Sequence, residues 1–332
     1  MIESISLSND CNSIAFSINH GFVVYSTDPL VRKFSKEFAL YHISKIATDG
    51  DGTFVAFVGI SEDNEENPTI FVWNNFYAEC HCKLEMDEKV LNIKLLGQLL
   101  LIIFEKRSCI YDLQRKMMRI ESPTGANPSG AADIVLLDSS LARISEDDDD
   151  DDGNIGIDEN IPLVAICANE VGKINIYKMT ENPVKINIYA AKHQVNLIRF
   201  SPDGYLVATA SAKGTLIRVF DTKTGAALST FRRGTLSPAS ILDCCFSPAK
   251  SELIAISSNG TIHLFKADVR NASQNDFPRS CAKLSIEKVS FVAAAFKAPD
   301  SLTVLTSSGS LLSVKVSNDK LELAENSSVL EH

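Results

Sequence analysis

The chain has 332 residues, of which 45% are hydrophobic and 22% are charged, and its formal net charge is −10. This balance is typical of a globular protein with a buried core and excludes a disordered chain. No segment approaches the ~20 consecutive apolar residues of a membrane-spanning helix, the first residues do not resemble a secretory signal, and the acidic balance argues against a general nucleic-acid binder.

From its first residues, the chain has the pattern of short strands separated by polar turns. We predict strands over Ile5–Leu7, Ser13–Ser17 and Gly21–Tyr25. The breaks between them, Asn9-Asp10 and Asn19-His20-Gly21, contain the residue types that form tight hairpin turns. The pattern therefore indicates an antiparallel β structure.

This strand pattern repeats with a period in the mid-forties: Phe200 and Phe246 are 46 residues apart, as are Gly214 and Gly260. An aromatic or apolar residue ends the third strand of seven such units, namely Tyr25, Trp73, Tyr111, Tyr177, Phe220, Phe265 and Val314. The period predicts an all-β, seven-bladed β-propeller of the WD40 type, with residues 1–332 forming a single domain. Two β-sandwich domains are the alternative, but the repeat crosses the middle of the chain without a linker.

The unit between Tyr111 and Tyr177 is longer than the others because it contains an acidic tract. Residues 146–152 are one Glu followed by six Asp, and their mutual repulsion predicts an acidic, disordered insertion over 145–160 within blade 4. A calcium loop is the alternative, but the tract lacks spaced oxygen ligands and a glycine turn. We also expect a loop of blade 2 over Glu62–Pro68, which is a candidate contact for a protein partner.

The sequence lacks the signatures of metal sites and catalytic sites. Its eight cysteines do not form the Cys-x₂₋₄-Cys pairs of a structural zinc site, so we expect reduced thiols in buried strands, and neither a metal nor a cofactor. No P-loop, H-E-x-x-H, G-x-S-x-G or Rossmann pattern occurs, so we predict that the protein is not an enzyme. A propeller hydrolase would instead need inward-facing acids or a metal near the central channel.

One segment of this acidic chain is basic. Residues 192–270 contain ten Lys and Arg against five Asp and Glu, a local balance of +5. Within them lies Phe231-Arg232-Arg233-Gly234, and successive side chains of a strand point to opposite faces. The two arginines would therefore reach two separate pockets, one against each neighbouring blade, where a guanidinium can grip a phosphate with two hydrogen bonds. An exposed strand edge that carries charge is the alternative.

The run TASAKGTLIRVFDTKTG at 209–225, followed by FRRGT at 231–235, resembles the PROPPIN family of phosphoinositide-binding WD-type propellers, which includes the WIPI proteins. The F/L-R-R-G hallmark of that family is matched by Phe231–Gly234. The resemblance covers most of the chain, weakens after about residue 290, and is closest to the shorter, WIPI-three-and-four-like branch.

The resemblance implies two pockets, on the rim of blades 5 and 6, for phosphatidylinositol 3-phosphate and phosphatidylinositol 3,5-bisphosphate. By position, the first pocket would use His193, Ser211, Thr215, Arg218 and Arg232. The second would use Arg233, Ser240, Ser257, Thr261 and His263. A membrane-insertion loop of blade 6 would span residues 266–282, with Arg270, Phe277 and Arg279 facing the bilayer.

The function that the resemblance implies is that of a peripheral membrane adaptor in autophagosome formation. We expect a cytoplasmic monomer that docks on preautophagosomal, endosomal or vacuolar membranes and recruits a bridge-like lipid-transfer protein, without binding nucleic acid. The alternative is a scaffold propeller that binds proteins but no lipid.

Overall fold

The structure, a computed structural model, is a ring of seven four-stranded antiparallel sheets. It describes residues 2–8, 10–18, 20–61, 64–138, 160–234, 239–266, 277–317 and 319–329. Each sheet consists of four strands that are consecutive in the chain. The prediction of an all-β, seven-bladed propeller is confirmed.

In each blade, the first strand lines the central channel and the second lies outside it. The channel strands are β1 (Ile2–Leu7), β5 (Tyr41–Thr48), β9 (Asn92–Leu96), β13 (Ala132–Leu137), β17 (Val195–Phe200), β21 (Ile241–Phe246) and β25 (Val292–Ala298). The second strands are β2 (Ser13–Ile18), β6 (Phe54–Ser61), β10 (Leu99–Ile103), β14 (Ile161–Cys167), β18 (Leu206–Ser211), β22 (Glu252–Ser257) and β26 (Ser301–Thr306).

The third and fourth strands complete each blade toward the rim. The third strands are β3 (Gly21–Thr27), β7 (Asn64–Asn74), β11 (Arg107–Asp112), β15 (Lys173–Lys178), β19 (Leu216–Asp221), β23 (Thr261–Lys266) and β27 (Ser310–Ser317). The rim strands are β4 (Leu30–Glu37), β8 (Glu79–Glu85), β12 (Met117–Pro123), β16 (Val184–Tyr189), β20 (Ala227–Arg232), β24 (Ala282–Ser285) and β28 (Lys320–Ser328). In the described residues, no helix is long and apolar enough to cross a bilayer.

Seven apolar clusters fill the described core, one between each pair of neighbouring blades. Second strands such as β10, with the sequence LLLII, are entirely buried because both of their faces are covered by other blades. The cluster that closes the ring packs Phe16 and Tyr25 of blade 1 with Leu305 of blade 7. All of blade 7 comes from the C-terminal part of the chain, so side-chain packing closes the ring without an exchanged strand.

The sequence located the blades correctly, since all seven residues that were assigned to third strands lie in third strands of the structure. The loop predicted over Glu62–Pro68 is wrong in part, because β7 begins at Asn64 and pairs that residue with Ser61. The acidic insertion connects β13 to β14, and its residues 145–159 lie outside the described ones. Among the cysteines, Cys80 and Cys281 are exposed, Cys82 is half-buried, and the other five are buried.

Glycines with positive φ occupy the turns between second and third strands, where the next blade's connection passes close to the backbone. A Cβ on Gly172 would lie 1.9 Å from the carbonyl oxygen of Ala191, and a Cβ on Gly214 would lie 2.0 Å from that of Ala239. Gly172 and Gly214 have φ of 80° and 59°, a region that disfavours residues with a Cβ. These turns are therefore glycine because neighbouring blades meet there.

An ion-pair network ties the channel strands of adjacent blades together. Nη1 of Arg199, on β17, lies 3.7 Å from Oδ1 of Asp133 on β13, and Nε lies 3.7 Å from Oδ1 of Asp243 on β21. The other oxygens of the two carboxylates accept backbone N–H groups, Asp133 from Phe200 at 2.8 Å and Asp243 from Ala294 at 2.8 Å. One arginine and two carboxylates therefore join blades 4, 5, 6 and 7.

Burial makes this network sensitive to the loss of any member. Burial by itself would lower the pKa of Arg199, but the carboxylates of Asp243 and Asp133 outweigh it and hold that pKa above its usual value. Burial also raises the pKa of Asp243, although the charge of Arg199 opposes the change. The positive charge of Arg199 thus offsets part of the cost of burying the Asp243 carboxylate, and Lys94 places a second cation 3.6 Å from Oδ1 of Asp133.

Replacing the network arginine should destabilise the ring. In Arg199→Met, the buried carboxylate of Asp243 loses its paired arginine and that of Asp133 keeps only Lys94, so we expect the free energy of unfolding to fall by about 3–5 kcal/mol. Urea unfolding of Lys83→Met, which breaks an exposed pair with Glu85, provides the control and should show no measurable loss. Equal stability of Arg199→Met and wild type would show that the network does not support the ring.

The blade contacts at the turns can be separated from the backbone strain of a positive φ. Gly97 has a φ of 53° and open space around its Cβ position, so Gly97→Ala should cost only the left-handed strain of about 1–2 kcal/mol. Gly214→Ala adds a clash with the Ala239 carbonyl and should lower the melting temperature clearly further. Similar melting temperatures for the two variants would contradict the close blade approach.

Candidate functional site

The rim of blades 4, 5 and 6 holds the residues that the sequence assigned to two pockets. Strand β20 ends there at Arg232, and the preceding Phe231 is buried with its ring centroid 5.4 Å from that of Phe265 in blade 6. Phe231 therefore faces blade 6, so by strand alternation Arg232 faces blade 4 and Arg233 faces blade 6. The two arginines point to different blade interfaces.

The first group lies on the face of blade 5 that packs toward blade 4. Arg218 pairs with Thr209 and Thr230 in register, and Arg232 pairs with Leu216. Since Val207 and Phe220 pack into the cluster shared with blade 4, the same alternation places the predicted Ser211, Arg218 and Arg232 on that face. Arg218 donates from Nη1 to the carbonyl of Ala190, at the end of blade 4, at 3.4 Å.

Two further predicted residues lie on turns beside this face. His193 is exposed on the connection from blade 4 into β17, and Thr215 is half-buried in the turn before β19. The two turns touch, because the N–H of Ala212 donates to the carbonyl of Gln194 at 3.2 Å. The structure thus places all five residues of the first group around the blade 4–5 interface.

The second group lies on the face of blade 6 that packs toward blade 5. Ser257 pairs with Thr261, and His263 pairs with Ala255, a residue of the cluster shared with blade 5. Ser257 Oγ lies 3.4 Å from Nε2 of His263. Ser240 reaches this group through its backbone, because its carbonyl accepts the N–H of Ser258 at 3.0 Å.

Arg233 differs from Arg232 in being tied into the protein. It is 6% exposed, and it donates from Nε to the carbonyl of Gly214 at 2.9 Å and from Nη2 to that of Ala239 at 2.8 Å. Burial lowers the pKa of its guanidinium. Arg233 therefore links the turn of blade 5 that contains Gly214 to the start of blade 6 by hydrogen bonds.

His263 is buried at 4% exposure. Burial, assisted by the positive charges of Lys283 and Arg233, lowers its pKa to about 4, so the imidazole is neutral near pH 7. Lys283 lies directly opposite His263 in the ladder. Sequence analysis missed Lys283 because the short strand β24, which carries it, follows a long connection with no repeat signal.

The predicted insertion loop returns to the ring beside Arg232. The carbonyl of Pro278 accepts the N–H of Arg232 at 2.9 Å, and the ring of Phe277 lies 5.3 Å from the Arg232 guanidinium. Phe277 is 40% exposed and Arg279 is also exposed. Arg270 lies outside the described residues. The contact between Arg232 and Phe277 joins the loop to the first group of pocket residues.

The central channel is the other concave feature, a cavity of about 290 Å³ lined by the seven inner strands. Its lining includes Asp243, which is paired with Arg199. Glu3, another acid of this lining, lies with Oε2 2.6 Å from Nε2 of His42, so both of these acids are engaged by a neighbouring side chain. Among the described residues, no three His, Cys, Asp or Glu side chains are placed to share a metal ion.

These features define a seven-bladed propeller with an arginine-bearing rim at blades 5 and 6. The PROPPIN family model matches residues 157–308. "Autophagy-related protein 18" of Debaryomyces hansenii is 28% identical over 84% of this chain and 53% of its own length. The chain spans about half the length of the first curated relatives that it matches.

Solved structures share the fold along nearly the whole chain. Kluyveromyces lactis Hsv2 superimposes with a TM-score of 0.78 at 19% identity, covering 99% of each chain. KlAtg21, solved in complex with the coiled coil of AgAtg16, gives a TM-score of 0.73 at 17% identity and covers 98% of this chain and 99% of its own. The family model and the curated relatives support membership of the PROPPIN family, and these solved structures share the fold.

The buried imidazole predicts a pH dependence of stability. The pKa of His263 is about 4 in the folded protein against an ordinary histidine value of 6.5, so the unfolded chain takes up the proton first as the pH falls. Stability is therefore lost as the pH falls from 6.5 to 4. In His263→Gln this loss is absent. The unfolding free energy of the variant minus that of wild type should therefore rise by on the order of 2–3 kcal/mol when the pH is lowered from 7 to 4.

Urea unfolding at stepped pH measures this difference. The carboxylates titrate in both proteins, so the subtraction isolates His263. Between pH 7 and pH 9 the difference should stay constant, and a difference that also stays constant from pH 7 to pH 4 would contradict a neutral buried imidazole.

Proposed function

We propose that this chain is a peripheral membrane adaptor of autophagosome formation that binds phosphatidylinositol 3-phosphate and phosphatidylinositol 3,5-bisphosphate through its blade 4–5 and blade 5–6 rim pockets. The match of residues 157–308 to the PROPPIN family model and likeness to proteins named for autophagy support the cellular role. Preautophagosomal, endosomal and vacuolar membranes are the proposed sites of action.

The observation that carries this proposal is the opposite orientation of Arg232 and Arg233 at the rim. Each arginine faces a different blade interface, beside a turn that bears two hydroxyl residues: Ser211 and Thr215 in blade 5, and Ser257 and Thr261 in blade 6. A planar guanidinium with nearby hydroxyl donors matches the geometry and charge of a phosphate monoester.

Membrane attachment would combine headgroup binding with shallow insertion of the loop over 266–282. Phe277 offers an exposed aromatic ring and Arg279 an exposed cation at the return of that loop. A basic side chain near an anionic membrane contributes about 1 kcal/mol, and stable attachment generally needs two signals. The phosphate pockets and the loop would supply them together.

Protein partners complete the proposed role of an adaptor. KlAtg21 was solved with the coiled coil of AgAtg16, which supports an autophagy protein as the kind of partner that this fold can hold. We further propose that a bridge-like lipid-transfer protein is recruited by this chain.

Arg232→Thr tests lipid binding without disturbing the hydrogen bonds of Arg233. Among the described residues, the Arg232 guanidinium forms no hydrogen bond or ion pair and stacks on the ring of Phe277, so the variant should fold normally. Loss of the guanidinium should reduce flotation with liposomes containing phosphatidylinositol 3-phosphate by at least about tenfold in apparent affinity. Thermal melting verifies that the fold is intact.

Arg115→Thr, which removes a half-exposed arginine of blade 3, is the matched control and should float like wild type. Normal flotation of Arg232→Thr would contradict the proposal. Equal flotation of wild type with and without the phosphoinositide would favour the scaffold that binds no lipid.

A further inference from the structure

Three consecutive blades build the same turn between their second and third strands. The turn starts with a hydroxyl residue, continues through two residues to glycine, and ends with another hydroxyl residue, at 211–215, 257–261 and 306–310. In each, the glycine N–H donates to the carbonyl of the first residue, at 2.8, 2.9 and 3.0 Å in blades 5, 6 and 7. The three pairs of hydroxyls are therefore presented on equivalent backbone frames.

The copy in blade 7 already holds an anion from the chain itself. Oε1 of Glu287 accepts the hydroxyl of Ser310 at 3.2 Å and that of Thr306 at 3.5 Å, and it also accepts the hydroxyl of Ser308. A carboxylate thus uses the hydroxyls that this turn presents. The conformation of this turn therefore suits an oxyanion, and in blade 7 the Glu287 carboxylate occupies the oxyanion position.

The third residue of the turn differs among the copies: Lys213, Asn259 and Ser308 in blades 5, 6 and 7. All three are exposed. In blade 6, the nearest acceptor to the hydroxyl of Ser257 is Oδ1 of Asn259 at 2.6 Å. The carbonyl of Thr261 follows at 3.1 Å and Nε2 of His263 at 3.4 Å. A lysine ammonium has no acceptor, so Lys213 cannot engage the hydroxyl of Ser211 in this way. Within the described ranges, that hydroxyl has no hydrogen-bond partner.

The two arginines also differ in whether their N–H groups are already used by acceptors within the protein. Arg232 is half-buried against the ring of Phe277, and within the described residues its N–H groups have no hydrogen-bond acceptor. Arg233 is 6% exposed and donates to the carbonyls of Gly214 and Ala239. A phosphate that recruited Arg233 fully would have to take it from these carbonyls and leave them without a donor, which is costly for buried groups.

We propose that the blade 5–6 pocket is latched in the unbound chain, by Asn259 on the hydroxyl of Ser257 and by the carbonyls on Arg233, so that a phosphate-bearing headgroup fills the blade 4–5 pocket first. This inference rests on the proposed lipid binding and adds that the two pockets are unequal. Asn259 thus determines which pocket binds first, because its side-chain oxygen occupies the Ser257 hydroxyl that a phosphate would otherwise use. Its counterpart in the open pocket is Lys213.

Each pocket contains one histidine that can report its occupancy. His193 lies at the first pocket and His263 at the second. The titration uses histidine-labelled protein and inositol 1,3-bisphosphate, the headgroup of phosphatidylinositol 3-phosphate, with imidazole NMR signals assigned through His→Gln variants. In wild type, the His193 signal should shift first, and the His263 signal should need at least about ten times more ligand.

Asn259→Lys copies the open turn into blade 6 and should bring the two midpoints within about threefold of each other. Asn259→Ala removes the acceptor without adding charge and should move the His263 midpoint in the same direction by less. Lys213→Asn is the reciprocal control at the equivalent position, and should raise the His193 midpoint alone. Melting temperatures verify that these exposed substitutions leave the fold unchanged.

Coincident midpoints in wild type would overturn the latch, and so would an unchanged His263 midpoint in Asn259→Lys. These results are distinct from failure of the proposed function, in which neither histidine signal shifts in any variant and wild type does not float with phosphoinositide liposomes.

Discussion

Each blade of this ring is apolar on both faces, so none can be stable until two neighbours cover it. Seven apolar clusters, one at each interface of the described core, meet this requirement. Arg199 supplements them at the channel, where it holds the carboxylates of Asp133 and Asp243 in adjacent blades. The polar groups of the channel thereby serve the ring itself, and the residues able to meet a ligand are left at the ends of strands.

At the rim, the same alternation that builds the core distributes the functional side chains. Phe231 fills the interface with blade 6 beside Phe265, and the next two residues of the chain necessarily diverge. One short tetrapeptide thus supplies a core residue, a side chain for one interface and a side chain for the next. The neighbouring turns have glycine because the backbone of the following blade leaves no room for a Cβ, which also brings their hydroxyls close to the interface.

The blade period and the divergence of Arg232 and Arg233 could be predicted because both follow from repeat length and strand geometry. The burial of Arg233 could not be predicted, because its partners are the backbone carbonyls of Gly214 and Ala239, which leave no trace in side-chain identity. Lys283 was missed for a related reason: its position opposite His263 depends on where β24 resumes after the blade 6 connection. The loop expected over Glu62–Pro68 is shorter in the structure, because pairing with β6 extends β7 to Asn64.

Because the ring closes without an exchanged strand, one of its seven interfaces is not crossed by the chain. Six interfaces are spanned by covalent connections, whereas blades 1 and 7 meet through side chains and a few polar contacts such as that from Sγ of Cys11 to the carbonyl of Phe296 at 3.3 Å. Separation of blades 1 and 7 would therefore break only non-covalent contacts and would not require the chain to unthread. At least one further interface separates this contact from the blade 4–6 rim on either side, so the two arginines lie apart from the place where the ring is closed.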